Sequence, residues 1–201
     1  MLPIAGQAPA AERADAVRNR RRILAAAEAV AAREGFAGLT VEDVARTAGV
    51  GVGTVYRRFT DRAGLLMALR HDRELELQQA FLHGPPPLGP GAPARERIRA
   101  FLYALVDRVD MQRELLLSLE AGLTKPDGRR SPAVSVHHTH LAMLVHEARP
   151  DADAHYLTTA LLAAVSPGTV DRHQRDHDAT LDDVKAGVDD LLAGICPRQA
   201  P

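Results

Sequence analysis

Arg18, Arg20, Arg21 and Arg22 place four guanidinium groups within five residues, and Thr54, Arg57 and Arg58 stand in a short run from Val52 to Phe59. A phosphate backbone is the natural partner of such arginines, with a solvated face as the plainer alternative for the first cluster. Nine histidines are the second chemically notable set. His137 and His140 share a helical face, with His138 between them, and His173 and His177 have the i, i+4 spacing of a helical metal-ligand pair. Neither set has a cysteine nearby or a glutamate in a metalloenzyme pattern, so they read as surface or pocket-lining residues, with a metal- or redox-responsive regulator or a small metabolite-processing enzyme as the alternatives, and no metal or cofactor is expected. The parts of a catalytic site are also thin. Ser118 sits in a leucine run without a strand-turn-helix elbow, and Cys196 is close to the end of the sequence. Glu114 and Glu120, on an apolar helix, suit recognition of a cationic or hydroxylated ligand better than acid–base work. The chain therefore reads as a binding protein and not an enzyme.

The elements that hold these residues are helices. Ala, Leu and Arg dominate a 201-residue chain that is 46% hydrophobic, which implies an all-α fold with a small domain joined to a larger one. Charge is divided along it: residues 1–73 carry 12 Lys+Arg against 8 Asp+Glu, and residues 74–201 carry 13 against 18. A basic head on an acidic body directs any polyanion to the N-terminal part. A single cysteine allows no intrachain disulfide, and no run has the length and apolarity of a signal peptide or membrane span, so a cytoplasmic protein with no membrane partner is expected.

Residues 1–16 lack apolar periodicity and are expected to form a mobile arm. Ile23, Ala27, Val30 and Ala31 mark a first helix ending at Gly35. The arginine cluster lies in the first turns of that helix as read from Val17, where cations oppose the macrodipole. Thr40 caps a second helix whose inner face is Val41, Val44, Ala45 and Ala48, closed by Gly49. A third runs from Val52 to Phe59 with Val52, Val55 and Phe59 inward, giving a helix-turn-helix, and a long fourth follows, capped by Asp61. Five prolines and three glycines make residues 83–94 a loop. Beyond it, apolar stripes predict a helix through Val109, another around residues 115–123, a turn at Lys125 to Gly128, and a helix opened by Ser131-Pro132. A further helix starts at Asp151 and ends at Pro167-Gly168, and the last is opened by the Thr180 to Asp183 capping box. The division implied is an arm (1–16), a helix-turn-helix domain (17–62) and a larger domain (63–201).

The block from Arg20 to Leu69 resembles the N-terminal domain of the TetR/AcrR family of regulators. The resemblance is carried by Ile23-Leu24-Ala25-Ala26-Ala27, Gly35-Phe36, Leu39 to Ala45, Ala48-Gly49-Val50, Gly53 to Phe59, and Arg62 with Leu65-Leu66. It implies a homodimer that sets two third helices in successive major grooves of a palindromic operator and releases double-stranded DNA when a small-molecule effector binds. The family pattern makes Thr40 a phosphate contact, Thr54 and Arg57 groove-facing readers, Tyr56 and Arg58 backbone clamps, and Arg62 a phosphate contact where lysine is usual. Arg20, Val52 and Gly53 complete the expected DNA-binding set. Hydroxyls and helix N-termini do bind phosphate, and arginine can pair twice with guanine. Three departures from the pattern are Gly51 in place of a frequent serine, Ala63-Gly64 in place of Glu-Ala, and Arg62 itself in place of lysine, which keeps the charge.

From residue 74 onward the aromatic residues are Phe81, Phe101, Tyr103 and Tyr156, so an effector pocket there must be walled mainly by aliphatic side chains and suits an aliphatic or mixed ligand. Phe101, Leu105, Glu114, Ser118, Leu119, Glu120, His140 and Leu144 are its expected lining. Leu157, Leu161, Val184, Val188 and Leu191 are the expected dimer contacts, because Leu181, Val184, Val188, Leu191 and Ile195 step by three and four along the last helix.

Overall fold

The computed structural model describes residues 10–120 and 132–195, and of residues 10–13, 37, 110–120 and 132–134 it describes the backbone alone. Among the described residues the chain forms nine α-helices and no strand: α1 (Ala10–Gly38), α2 (Val41–Ala48), α3 (Val52–Phe59), α4 (Arg62–His83), α5 (Ala94–Glu120), α6 (Pro132–Ala148), α7 (Ala154–Ala164), α8 (Pro167–His177) and α9 (Leu181–Ile195). Two compact units divide between Arg73 and Glu74. That boundary falls inside α4, not at its start as a division after residue 62 has it.

In the first unit α1 begins at Ala10, so the arm expected through residue 16 is helical from residue 10 onward. Ala10-Ala11-Glu12-Arg13-Ala14 are strong helix formers that need no buried face, and apolar periodicity misses such a segment. The arginines at 18–22 therefore lie beyond the first turn, where the macrodipole no longer opposes them. Gly35 breaks the helix at φ 73°. Thr40 caps α2, its hydroxyl accepting from the Asp43 N–H at 3.1 Å, a contact worth about 1 kcal/mol at such positions. Gly49 ends the helix at φ 62°, with Gly49 N bonded to Arg46 O and Val50 N to Ala45 O, the paired bonds of a left-handed glycine stop. Ile23, Val30, Leu39, Val44, Val55, Phe59, Leu65 and Leu69 are buried in this unit's core.

In the second unit α5 is central and packs against α6, α8 and α9, while α7 packs on α6. Its core joins Leu77 and Phe81 of α4, Phe101, Leu102 and Val106 of α5, Leu141 and Leu144 of α6, Leu161 of α7, Val170 of α8, and Val184, Val188 and Leu192 of α9. Arg99 donates to both oxygens of Asp189 at 2.6 Å, fastening α5 to α9.

Two sequence expectations change. The break expected between Val109 and Leu115 is absent, because α5 runs without interruption to Glu120. Pro167-Gly168 opens a helix instead of closing one: Ser166 accepts from the Thr169 N–H and Pro167 takes a first-turn position where its missing N–H costs nothing. The turn expected at Lys125 to Gly128 and the cap expected at Ser131 lie outside the described residues, as do Leu123 and Cys196.

Gly64 tests the packing of the α3–α4 corner. Alanine is favoured over glycine by about 1 kcal/mol in a helix interior. A Cβ at Gly64, however, would stand 1.9 Å from the Phe59 carbonyl oxygen, a backbone atom that cannot turn aside. Gly64→Ala is expected to lower the denaturant midpoint despite its better propensity, and a raised midpoint would show that the corner is loosely packed.

Candidate functional site

The eight residues of α3 divide into a buried pair and a solvent-facing set. Val55 and Phe59 are buried and fix the helix's rotation. Gly53, Tyr56, Arg57 and Arg58 then face solvent, and Thr54 is half-buried. Val52 is 37% exposed, which corrects its expected place on the inner face, because it is the first helical residue and projects beyond the contact with α2. Tyr56 is 43% exposed and its hydroxyl reaches Glu42 at 3.4 Å, so its ring is not a core residue. Gly51, at the N-cap, has no side chain to bond the first turn of α3; the Thr54 N–H turns to the Gly51 carbonyl at 2.8 Å, and the Val52 and Gly53 N–H groups precede the helical ladder.

The other expected contacts are already engaged within the unit. Arg62 Nε donates to Leu39 O at 2.8 Å and Arg62 Nη2 to Phe36 O, so the guanidinium braces the α1–α2 linker. Arg20 Nη1 donates to Asp72 at 3.0 Å, tying α1 to α4. The Thr40 hydroxyl donates to Asp43 at 2.5 Å while capping, so a phosphate at that helix end would compete with a carboxylate. Arg18 and Arg22 behave differently from Arg20: both line a concavity of about 900 Å³ together with Arg57, Arg58, Thr54 and Gly51.

In the second unit the expected effector-lining residues Phe101, Leu144 and His140 are buried in the core and Leu105 is half-buried. The His140 ring stacks on Phe81 at 4.2 Å, and Phe101 meets it edge-on at 5.2 Å. The side chains of Glu114, Ser118, Leu119 and Glu120 lie outside the described residues. Beside the rings is a polar layer that sequence reasoning did not single out. Glu74 is 6% exposed and takes hydrogen bonds from Arg108 at 3.0 Å and Gln78 at 3.0 Å, with His137 at 2.8 Å. Glu74, Leu77 and Phe81 are spaced as one helical face, which was the available signal that this carboxylate points inward. Burial alone would raise the Glu74 pKa, but the hydrogen bonds and positive charge of its partners outweigh that and hold it at about 2. His140 moves the other way. Burial first, then the charges of Arg97 and His137, lower its pKa to about 4. Its Nε2 is buried without a hydrogen-bond partner among the described residues.

Of the expected dimer contacts, Leu161, Val184 and Val188 are buried in the unit's own core. The three-and-four stepping marks an inward seam there, and Leu192 continues it. Leu191 is 44% exposed and Leu157 half-buried, so these two remain available to a partner. His173 and His177 have ring centroids 5.1 Å apart, and no three metal-ligating side chains come together among the described residues. No helix among the described residues is long and apolar enough to cross a membrane.

Residues 23–69 match the family model of bacterial regulatory proteins, tetR family. Solved structures share the fold over most of the chain. A TetR-family transcriptional regulator from Pectobacterium atrosepticum is 20% identical, with 94% of this chain and 99% of that one covered at a TM-score of 0.68. A transcriptional regulator from Saccharomonospora viridis in complex with choline is 22% identical, covering 88% and 96% at 0.65. The regulator FadR from Bacillus subtilis in complex with stearoyl-CoA is 16% identical, covering 88% and 97% at 0.58. No curated protein matches the chain in sequence.

The buried layer sets a pH dependence. His140 is neutral in the fold down to about pH 4 but takes up a proton near its ordinary value of 6.5 when unfolded. The unfolded state thus binds more protons between those values, and stability falls as pH drops from about 6.5 to 4. Glu74, ordinarily at 4.5 and held at about 2, adds a further loss below pH 4.5. Urea unfolding at pH 7, 5.5 and 4.5 measures the slope. His140→Phe is expected to flatten it above pH 4.5, and an unchanged slope would rule out His140 as its source.

Proposed function

Through its N-terminal domain this chain belongs to the TetR family of bacterial regulatory proteins, and we propose that it is a DNA-binding transcriptional repressor that releases a palindromic operator when a small molecule occupies its second unit. The observation that carries this reading is the division of α3, with Val55 and Phe59 buried while Thr54, Tyr56, Arg57 and Arg58 are left facing outward. An arginine on such a helix can pair twice with guanine, and its neighbours can fix the helix against the backbone. Arg57 and Thr54 are assigned as readers, and Tyr56, Arg58 and the Val52 and Gly53 N–H groups as backbone contacts.

The effector half of the proposal rests on the second unit. Helical relatives of this fold carry choline in one case and stearoyl-CoA in another, which supports a ligand role for the bundle without naming the ligand here. Helix α4 contributes Leu65 and Leu69 to the first core and Leu77 and Phe81 to the second. A ligand that alters the packing around Phe81 therefore acts on a helix that both units share. By linkage, such a ligand must bind the DNA-free protein more tightly than the DNA-bound one.

The direct test uses duplexes selected by the wild-type chain from a random library. Arg57→Ala is expected to lose about 1–3 kcal/mol on the preferred duplex and to relax its sequence preference. Retained preference would remove Arg57 as a reader, and a wild-type chain that retains no duplex would refute the function.

The dimer half has its own measurement. Leu191→Asp places a charge on an exposed apolar position and is expected to yield a folded monomer by light scattering. Val188→Asp buries a charge in the unit's own core and is expected to unfold it instead. A Leu191→Asp protein that stays dimeric would move the interface off this face of α9.

A further inference from the structure

We infer that the concavity between α1 and α3 is a second phosphate site, in which Arg18 and Arg22 hold a phosphodiester of the same duplex that α3 reads. The inference rests on the DNA-binding role proposed above and extends it to residues outside the matched family segment, which begins at residue 23.

Asp15, Arg18, Asn19 and Arg22 are spaced as one stripe of α1, and all four line the concavity opposite Val50, Gly51, Thr54, Arg57 and Arg58 of the turn and α3. Among the described residues, four guanidinium groups therefore line the concavity with one carboxylate, Asp15. Arg22 is steadied by the Asn19 side-chain oxygen at 3.3 Å, a neutral partner that leaves its charge unspent. Arg18 is held by Asp15 and stays largely exposed. The arginine cluster is thus divided: Arg20 pairs with Asp72 and Arg21 is exposed, both outside the concavity, while Arg18 and Arg22 line it together with Arg57 and Arg58.

The shape of the site selects the kind of anion. Its walls are Ala16, Val50, Gly51 and polar side chains, with no aromatic residue to enclose an organic body. At Gly51 a Cβ would meet nothing closer than Thr54 Oγ1 at 3.9 Å, so the floor has room for an approaching backbone. An open, basic, weakly apolar trough fits a polyanion backbone, and the duplex already on α3 supplies one. Each phosphate neutralised contributes about 0.9 to the salt slope of binding to duplex DNA.

Binding of the full chain to a duplex selected by the wild type, measured over a range of salt, tests this. Arg18→Ala and Arg22→Ala are each expected to weaken all duplexes alike, on the order of tenfold, and to flatten the salt slope by about 1. Arg33→Ala, on an exposed part of α1 and paired with Glu34, is expected to match the wild type. Asp15→Asn removes the one carboxylate and releases Arg18, so it is expected to tighten binding severalfold, a gain that misfolding cannot imitate. If Arg18→Ala and Arg22→Ala bind as the wild type does with an unchanged slope, the inference fails while the proposed function stands. A shift in preferred sequence with the slope intact also overturns it, since base reading would then replace phosphate contact. A wild-type chain that binds no duplex overturns both together.

Discussion

An eight-residue helix cannot hold itself together in water, because its nucleation cost exceeds what so few hydrogen bonds return. The existence of α3 therefore depends on how it is clamped, and its outward chemistry follows from the clamp. Val55 and Phe59 anchor it, each contributing roughly 1.5–3 kcal/mol by burial. The left-handed Gly49 sets its angle to α2. At its other end Thr60 sits at φ 68° in a tight three-residue turn closed by Asp61 N to Phe59 O at 2.8 Å, and Asp61 at once caps α4 through Gly64 N. Both ends being fixed, the side chains between the anchors have one direction left. That constraint turns a run of ordinary residues into a presented surface.

The braces around this surface account for the arginines that do not reach it. Arg62 and Arg20 are charged side chains in a basic unit, yet their nearest partners are the Phe36 and Leu39 carbonyls and Asp72. Charge-assisted bonds of this kind are roughly twice as strong as neutral ones, and both fasten α1 to elements beyond α2. The net charge of residues 1–73 already counts Asp72 against Arg20, so these braces fix where the charge sits and not how much of it there is. Arg22, Arg57 and Arg58 line one concavity, with Arg18 beside them in its pair with Asp15, and Arg21 is exposed outside it.

Much of the helix layout was legible in the sequence because its signals are local. Thr40, Gly49, Asp61 and the Thr180–Asp183 box announce helix ends through bonds to residues three or four away, and the structure shows those bonds. The start of α1 was hidden because its first turns need no buried stripe, and α8 was hidden because Pro167 reads as a stop until Ser166 is taken as its cap. The sites were less legible than the helices. Whether Arg20 or Arg22 is free depends on Asp72, far along the chain, and whether Val188 faces a partner or its own core depends on α5. Periodicity gives the apolar face of a helix but not the identity of what covers it.

The buried layer at Glu74 shows what that last limit means for the second unit. A carboxylate this deep is tolerated only because Arg108, His137 and Gln78 satisfy it, and depriving such a group of its partner costs about 3–5 kcal/mol. A complete shift between two states of a protein requires about 5.5 kcal/mol of differential binding. A ligand that competed for Arg108 or His137 would have to offset the cost of unpairing Glu74, and it would shift such an equilibrium only where the pairing differs between the two states. Glu74 is also the first residue of the second unit and stands on α4, the helix whose earlier turns place Leu65 and Leu69 in the core beneath the reading helix. In an α-helix a residue cannot turn without its neighbours following the same hydrogen-bond ladder. The buried charge of Glu74 thus stands on the same helix as Leu65 and Leu69, which pack in the core that holds α3.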